Sequence, residues 1–178
     1  DRNMTTQYFN TDIEVGENQS YKVTEQIGVD FLTPRHGIYR YIPVKGSVLT
    51  KVGGNFQGVP YNARMTELES GEETEVDSES GSKVIRFGSE DAYLTGRKEY
   101  RFSYTVTPRF QENAYQNAYY NVFPTQWQNS IPAGSRFTIT FPKEFPHDIL
   151  EFYYGTHGEN KNAAAILDLS WKGNTVTG

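Results

Sequence analysis

The chain has no cysteine among its 178 residues, which excludes disulfide bonds, thiolate zinc sites and cysteine nucleophiles. It also has no long apolar run. The longest, Ala163–Leu167, is far shorter than the roughly 18 residues that indicate a membrane span. A chain of this length can bury a core without disulfides, so we expect a single domain over residues 1–178.

The short motifs of common enzymes are missing as well. No serine has a glycine two residues before and two residues after it, and no HExxH sequence surrounds His36, His147 or His157. No glycine-rich phosphate-binding loop occurs. We therefore expect no cofactor and no metal site, and the sequence identifies no catalytic residues of these classes.

Negative charge is concentrated in one segment. The net charge is −5, but seven of the 22 acidic residues lie in 67–82, and the remaining 15 are outnumbered by 17 basic residues. No basic stripe occurs, so we do not expect nucleic acid as a partner. The segment predicts a solvated hairpin or flexible loop. Calcium binding there is an open alternative, although Gly81 lies one position late for an EF-hand loop.

The aromatic content, 13 Tyr and 11 Phe, favours strands. Apolar residues occupy alternate positions over 20–31, with the single exception of Glu25, and over 99–107, and they alternate more weakly over 9–15. Shorter candidate strands lie at 47–52, 62–68, 83–88, 136–142, 149–155 and 163–171. Only 111–120 could form a turn or two of helix. Many short strands between Gly- and Pro-containing turns indicate an all-β antiparallel sandwich or barrel, and we expect an immunoglobulin-like sandwich with little helix.

Two predicted strands, over 20–31 and 36–44, each carry one charged residue in an otherwise apolar register. Glu25 lies between Val23 and Ile27, and Arg40 lies between Ile38 and Ile42. A buried charge is tolerated when it is matched and hydrogen-bonded, and arginine grips a carboxylate with two parallel bonds. We therefore predict that Glu25 and Arg40 form a buried ion pair between two strands.

A functional alternative uses the same residues together with His36. Glu25, Arg40 and His36 could line a polar pocket, with the carboxylate as general acid or base and the imidazole as its partner. A hydrolase would work in this way, but no second carboxylate stands at a convincing spacing for glycoside hydrolysis.

The segment 115–132 mixes aromatic side chains with amides. Flat rings beside amide donors and acceptors suit a carbohydrate-binding surface, and the candidate residues are Tyr119, Tyr120, Asn121 and Trp127. The same composition suits a long loop whose rings cap the end of a sandwich. Both interpretations stay open at this point.

Four stretches in order, "YKVTEQIGVDF", "HGIYRYIPV", "IRFGSEDAYLTGRKEYRFSYTV" and "YYNVFPTQWQNSIPAGSRFTITFP", resemble the amino-terminal region of predicted bacterial membrane proteins grouped as domain of unknown function 2207. The resemblance runs from about Tyr8 to Trp171. Two positions depart from the pattern: Tyr120 stands where Trp is expected, and Pro124 lies near an expected Gly. The resemblance brings no catalytic residues.

The resemblance implies an ectodomain on the extracytoplasmic side of a bacterial membrane, preceded by a signal peptide and followed by transmembrane helices. It also implies that this chain stops before the last strands of the domain. We therefore expect an interaction or sensing module without enzymatic activity, with an unknown protein or a cell-wall glycan as its partner. The alternatives are a carbohydrate-binding module on 115–132 and a hydrolase that uses Glu25, His36 and Arg40.

Overall fold

The computed structural model describes residues 2–52, 54–109, 120–154, 161–164 and 166–178. Within these ranges the chain forms thirteen strands and one 3-10 helix, His147–Ile149. The first eight strands are β1 (Met4–Val15), β2 (Tyr21–Arg35), β3 (Ile38–Pro43), β4 (Lys45–Val52), β5 (Asn55–Ser70), β6 (Thr74–Glu79), β7 (Ser82–Phe87) and β8 (Leu94–Pro108). The others are β9 (Phe137–Thr140), β10 (Tyr153–Tyr154), β11 (Lys161–Asn162), β12 (Ser170–Lys172) and β13 (Thr175–Thr177).

The strands form a large sheet, a small sheet and a short hairpin. The large sheet has the order β12-β13-β9-β1-β2-β8-β5-β4, the small sheet β3-β7-β6, and the hairpin β10-β11. All pairs are antiparallel except β1 with β9, which is parallel. One apolar cluster takes side chains from both larger sheets, so the prediction of an all-β sandwich is confirmed. The immunoglobulin-like connectivity stays a prediction.

Alternation along the long strands decides which side chains enter the core. On β8, Tyr100, Phe102, Tyr104 and Val106 are buried, whereas the intervening Arg101 is exposed. On β2 the buried set includes Val23, Glu25 and Ile27, in register with β8. Period-two alternation places one set of side chains on each face of a sheet, so the sequence pattern predicted the inner face of both strands.

The strand predictions for the last third of the chain were less accurate. The 149–155 stretch contributes only β10, and in 163–171 the first described strand residue is Ser170, at the start of β12. Alanine has a weak strand preference, which fits the irregular backbone at Ala163 and Ala164. Of the possible helical turn at 111–120, only Tyr120 lies within the described residues.

The acidic segment, 67–82, covers the end of β5, the turn at 71–73, all of β6 and the first residue of β7. Ser80 and Gly81 have φ of 47° and 83°, the pair of positive values that a two-residue type I′ turn requires. Every residue of β6 is exposed, so the interpretation as a solvated hairpin is confirmed for β6 and its turn, whereas 67–70 belong to β5 in the large sheet. Across the described part of the chain no group of three or more His, Asp or Glu side chains is placed to hold a metal ion.

Candidate functional site

Glu25 and Arg40 meet between the two sheets. Glu25 points inward from the middle of β2, and Arg40 points inward from the middle of β3. The Arg40 Nε donates a 2.9 Å hydrogen bond to Glu25 Oε2, while Arg40 Nη2 donates to Glu25 Oε1. Only 1% of Glu25 and 3% of Arg40 is exposed. The two residues therefore form a bidentate ion pair inside the core.

Further partners satisfy the remaining polar atoms of the pair. The Tyr104 hydroxyl donates to Glu25 Oε1 at 3.2 Å, and Arg40 Nη1 donates to the Tyr41 carbonyl at 3.4 Å. The Arg40 Cζ lies 5.5 Å from the centre of the Phe9 ring, within cation–π range. A buried ion pair costs least when every donor and acceptor is occupied, and this arrangement approaches that condition.

Tyr120 extends the network towards the surface. Its hydroxyl lies 3.2 Å from the Tyr104 hydroxyl. The single proton of Tyr104 is directed to the Glu25 carboxylate, so Tyr120 donates to the Tyr104 oxygen. Phenol, phenol, carboxylate and guanidinium thus form one hydrogen-bonded chain, an arrangement in which each bond polarises the next.

Burial and charge together tune the protonation of these groups. Burial lowers the pKa of Arg40, but the charge and hydrogen bond of Glu25, together with the neighbouring Tyr104 and Tyr120, outweigh that effect and hold the pKa above its ordinary value. Burial, followed by the Glu25 charge, raises the pKa of Tyr104 and of Tyr120. At neutral pH both phenols are therefore protonated donors and Arg40 is charged.

His36 lies away from the ion pair. Its Nδ1 is 3.0 Å from the Ala92 carbonyl, and its ring centre is 4.2 Å from that of Tyr93. His36 precedes Arg40 by four residues, about 13 Å along an extended chain. The structure thus brings Glu25 and Arg40 together but not His36. Because the two ions are buried and occupied by each other, this geometry argues against the hydrolase hypothesis, which needs an accessible carboxylate.

A close approach of two backbones explains the glycine after His36. A Cβ atom on Gly37 would lie 1.7 Å from the Phe87 carbonyl oxygen, and one on Gly88 would lie 2.0 Å from the His36 carbonyl oxygen. Only glycine permits this contact. Gly37, the glycine of "HGIYRYIPV", is therefore required where β3 and β7 come together, which is a structural role.

The rings of the 120–131 segment are directed towards the core. The Tyr120 ring centre lies 5.0 Å from that of Tyr21. The Trp127 ring centre lies 5.5 Å from that of Phe9, and its Nε1 donates a 2.9 Å hydrogen bond to Thr6 Oγ1. Asn121 is exposed, and Tyr119 lies outside the described residues. This arrangement favours the interpretation that the aromatic segment caps the sandwich.

Tyr104 and Tyr120 were absent from the predicted ion-pair site. For Tyr104 a signal was present: it occupies the inward register of β8, where a phenol needs a hydrogen-bond partner. No local signal connects Tyr120 to Glu25, because the two residues are 95 positions apart and meet only through the fold.

The outer face of the large sheet carries two adjacent shallow hollows, which we call the outer groove. It is lined by polar and charged residues of both signs together with Ile13, Leu68 and Tyr104, and Lys22 is shared between the two hollows. The charged residues are Asp12, Glu14, Lys22, Glu67, Glu69 and Arg101, and the hydroxyl residues are Thr24, Ser103, Thr105, Thr138 and Thr140. Charged side chains on the outer face therefore line an open groove, whereas those of Glu25 and Arg40 on the inner face are buried.

Comparison with known proteins finds solved structures that are weakly similar to this chain and one sequence family that matches it clearly. A crystal structure of an M1 zinc metallopeptidase mutant from Deinococcus radiodurans, bound to a Tyr-Ser-Ala substrate, matches with a TM-score of 0.37 and 11% identity over 99% of this chain. A two-domain M1 zinc metallopeptidase mutant bound to L-tryptophan matches with a TM-score of 0.35 and 12% identity, again over 99% of this chain.

This chain spans only 38% and 39% of those two proteins, and scores this low support no argument about fold or activity. None of the curated proteins compared with this chain matches it. No helix of the described residues is both long enough and apolar enough to cross a bilayer. The model of one family matches residues 6–172, and the chain belongs to that family, described as "Predicted membrane protein (DUF2207) N-terminal domain".

Proposed function

We propose that this domain is an extracytoplasmic interaction or sensing module, without enzymatic activity, of a membrane protein in a bacterial cell membrane. The observation that carries the proposal is the contrast between the two faces of the large sheet. On the inner face Glu25 and Arg40, the buried acid and the buried base among the residues that the structure describes, pair with each other. On the outer face acids, bases and hydroxyls line an open groove.

A shallow groove with charges of both signs suits a polar macromolecular partner. Lys22 and Glu14 face each other across β1 and β2, and Thr24 lies between Asp12 and Ser103. Alternating charges of this kind give specificity and orientation when a complementary surface approaches. The proposed partner is therefore a protein that presents a complementary polar surface, and a cell-wall glycan is the alternative.

Photo-crosslinking in the full-length protein tests the outer groove. A photo-reactive amino acid in place of Thr24 lies inside the groove, and one in place of Tyr39 lies on the outer face of the small sheet. We expect discrete protein adducts from position 24, and we expect Lys22→Glu to reduce them. Adducts from position 39 together with none from position 24 would refute the groove as the interaction surface.

The membrane side can be tested with an engineered cysteine, because the chain has none of its own. Thr33→Cys places a thiol at an exposed position of β2. In intact cells a membrane-impermeant maleimide should label this thiol, and the parent protein serves as the control. Labelling that appears only after the cells are lysed would contradict the extracytoplasmic location.

Carbohydrate binding by the aromatic segment is the rival proposal, and it receives less support. The rings and polar atoms of Tyr120 and Trp127 make contacts within the domain. If the segment nevertheless binds glycans, cell-wall saccharides should raise the melting temperature, and Asn121→Ala should abolish that rise. A panel of saccharides without any melting shift would dismiss this rival.

A further inference from the structure

One hollow of the outer groove lies across β9, β1, β2 and β8, and we call it the first hollow. Strand register fixes the arrangement of its side chains, because Glu14 pairs with Lys22 and Asp12 pairs with Thr24 across β1 and β2. Two threonines of β9 flank the acids on the other side. Neighbouring strands lie about 4.8 Å apart, and residues on one face of a strand repeat about every 6.7 Å. These residues therefore form one continuous surface.

The two bases of the first hollow lie on either side of Thr24. Lys22 precedes Thr24 by two residues on β2, and Arg101 pairs with Gln26, the next residue on the same face of β2. Their Cα atoms are therefore about 7 Å and about 8 Å from that of Thr24, in opposite directions along the strand. Both bases line the same hollow, so an anion above Thr24 meets two cations and a hydroxyl. Asp12, the partner of Thr24 on β1, places an acid directly beside that position.

The charges of the first hollow are not used within the domain. Among the residues that the structure describes, none of its two acids and two bases forms an ion pair. Elsewhere on the surface, Arg86 and Lys98 each have a carboxylate oxygen 2.7 Å away. Glu99 is the acid close to Arg101, but its two oxygens accept hydrogen bonds from the Tyr8 hydroxyl and from a neighbouring amide. The charges of the hollow are therefore available to a partner.

We propose that the first hollow binds a segment of the partner protein that carries an acidic and a basic side chain next to each other. The carboxylate of the segment lies above Thr24 between Lys22 and Arg101, and its cation lies against Asp12 and Glu14. This inference rests on the proposed function and adds the chemical class of the contact. A complementary pair of charges fixes the orientation of the bound segment.

Spacing and repulsion narrow the class of partner further. Thr24 is about 5 Å from Asp12 and about 8 Å from Glu14, measured between strands and along them. Residues i and i+2 of a strand, or i and i+4 of a helix, present an acid and a base at a similar spacing. A chain of phosphates is disfavoured, because each additional negative charge approaches the two acids. The hollow therefore suits a mixed-charge polypeptide and not a polyanion.

Exchanging two charges across β1 and β2 tests the inference without changing the net charge. A photo-reactive amino acid in place of Thr138, at the β9 side of the first hollow, reports contact in the full-length protein. Glu14→Lys combined with Lys22→Glu should reduce its adducts about fivefold, because each partner charge then meets its own sign. The matched control is Glu75→Arg combined with Arg86→Glu, which exchanges a pair on the small sheet and should leave the adducts unchanged. Thermal melting of the purified chains establishes that each variant folds.

Synthetic probes test the carboxylate position on the 178-residue chain. A peptide with Glu and Lys at i and i+4 should shift the amide NMR signals of Lys22 and Thr24. The same peptide with Gln in place of Glu should shift them about fivefold less at equal concentration. Equal shifts from the two peptides, or larger shifts from inorganic polyphosphate, would overturn the proposal.

The inference and the proposed function can fail separately. Adducts from position 24 that are absent at position 138, or that survive the charge exchange at Glu14 and Lys22, would refute the inference and leave the proposed function standing. An equal loss of adducts in the control exchange at Glu75 and Arg86 would also refute the inference. Peptide binding at the first hollow without adducts from position 24 would support the inference and count against the proposed function.

Discussion

Two arginines on neighbouring strands of the small sheet show how the environment changes the value of an ion pair. Arg40 on β3 points inward and grips the buried Glu25. Arg86 on β7 points outward, with Glu75 Oε2 2.7 Å from its Nη2 and Glu90 as a second partner. Side chains of those two glutamates are 55% and 72% exposed. Water and salt can replace the outer contacts but cannot reach the inner ones.

Breaking the inner pair on one side should have the largest effect. Glu25→Gln or Arg40→Met leaves the other charge or its hydrogen-bonding groups buried without the matching partner. We expect each variant to lose about 3–5 kcal/mol of unfolding free energy, measured by chemical denaturation. A neutral effect on stability would show that the pair does not contribute as this geometry implies.

Alkaline pH should destabilise the fold through its buried phenols. Burial raises the pKa of Tyr61 to about 12, and burial followed by the Glu25 charge raises the pKa of Tyr104 and Tyr120 from the ordinary 10.0. The folded chain therefore holds protons that the unfolded chain releases first. Stability should be unaffected by these groups below pH 10 and fall above it, by up to about 1.4 kcal/mol per pH unit for each phenol.

Denaturation curves across this alkaline range provide the measurement. Tyr104→Phe should make the fall of stability with pH less steep. An identical slope in the parent and the Tyr104→Phe variant would contradict the assignment of Tyr104 as a protonated donor in the core.

The Tyr104 hydroxyl has a matched control on its own strand. Tyr100 and Tyr104 are both buried on the inner face of β8, but the Tyr100 hydroxyl has no hydrogen-bond partner among the residues that the structure describes. Tyr104→Phe removes a bond to a charged acceptor and should cost about 2 kcal/mol of unfolding free energy. Tyr100→Phe should be neutral or slightly stabilising, and a reversed order would disprove this account of the network.

Replacing the whole inner pair should cost less than breaking it. In a Tyr104→Phe background, Glu25→Leu combined with Arg40→Met exchanges the ion pair for apolar side chains of similar size. We expect unfolding free energy within about 2 kcal/mol of that background, because buried pairs roughly balance their desolvation cost. A double-mutant cycle measures the coupling, and purely additive single losses would indicate that the two residues do not interact.

The outer pair should show the smallest effect. Arg86→Gln removes contacts that solvent can replace, so we expect a small change in melting temperature at low salt and none at high salt. Val84, which faces the same side of β7 two residues before Arg86, supplies a packing control through Val84→Ala. If Arg86→Gln lowered stability as much as Arg40→Met does, the proposed difference between the exposed and the buried arginine would be wrong.

Strand positions and their inner faces were readable in the sequence wherever alternation was long. The alternation over 20–31 and 99–107 predicted the central strands β2 and β8, and the lone charges Glu25 and Arg40 stood out against it. Shorter stretches were less informative, because three or four residues do not establish a period. The parallel pairing of β1 with β9 had no local signal, since the two strands are separated by more than 120 residues.

The sequence by itself determined the all-β class and the inward register of one acid and one base, because side-chain period and charge are local properties of a strand. Tertiary structure alone decided that these two ions meet, that Tyr104 and Tyr120 complete their hydrogen bonds, and that His36 turns to Ala92 and Tyr93. Such contacts depend on which strands become neighbours and on how two sheets stack. Strand neighbours and sheet stacking are determined by packing between residues that are distant in the sequence.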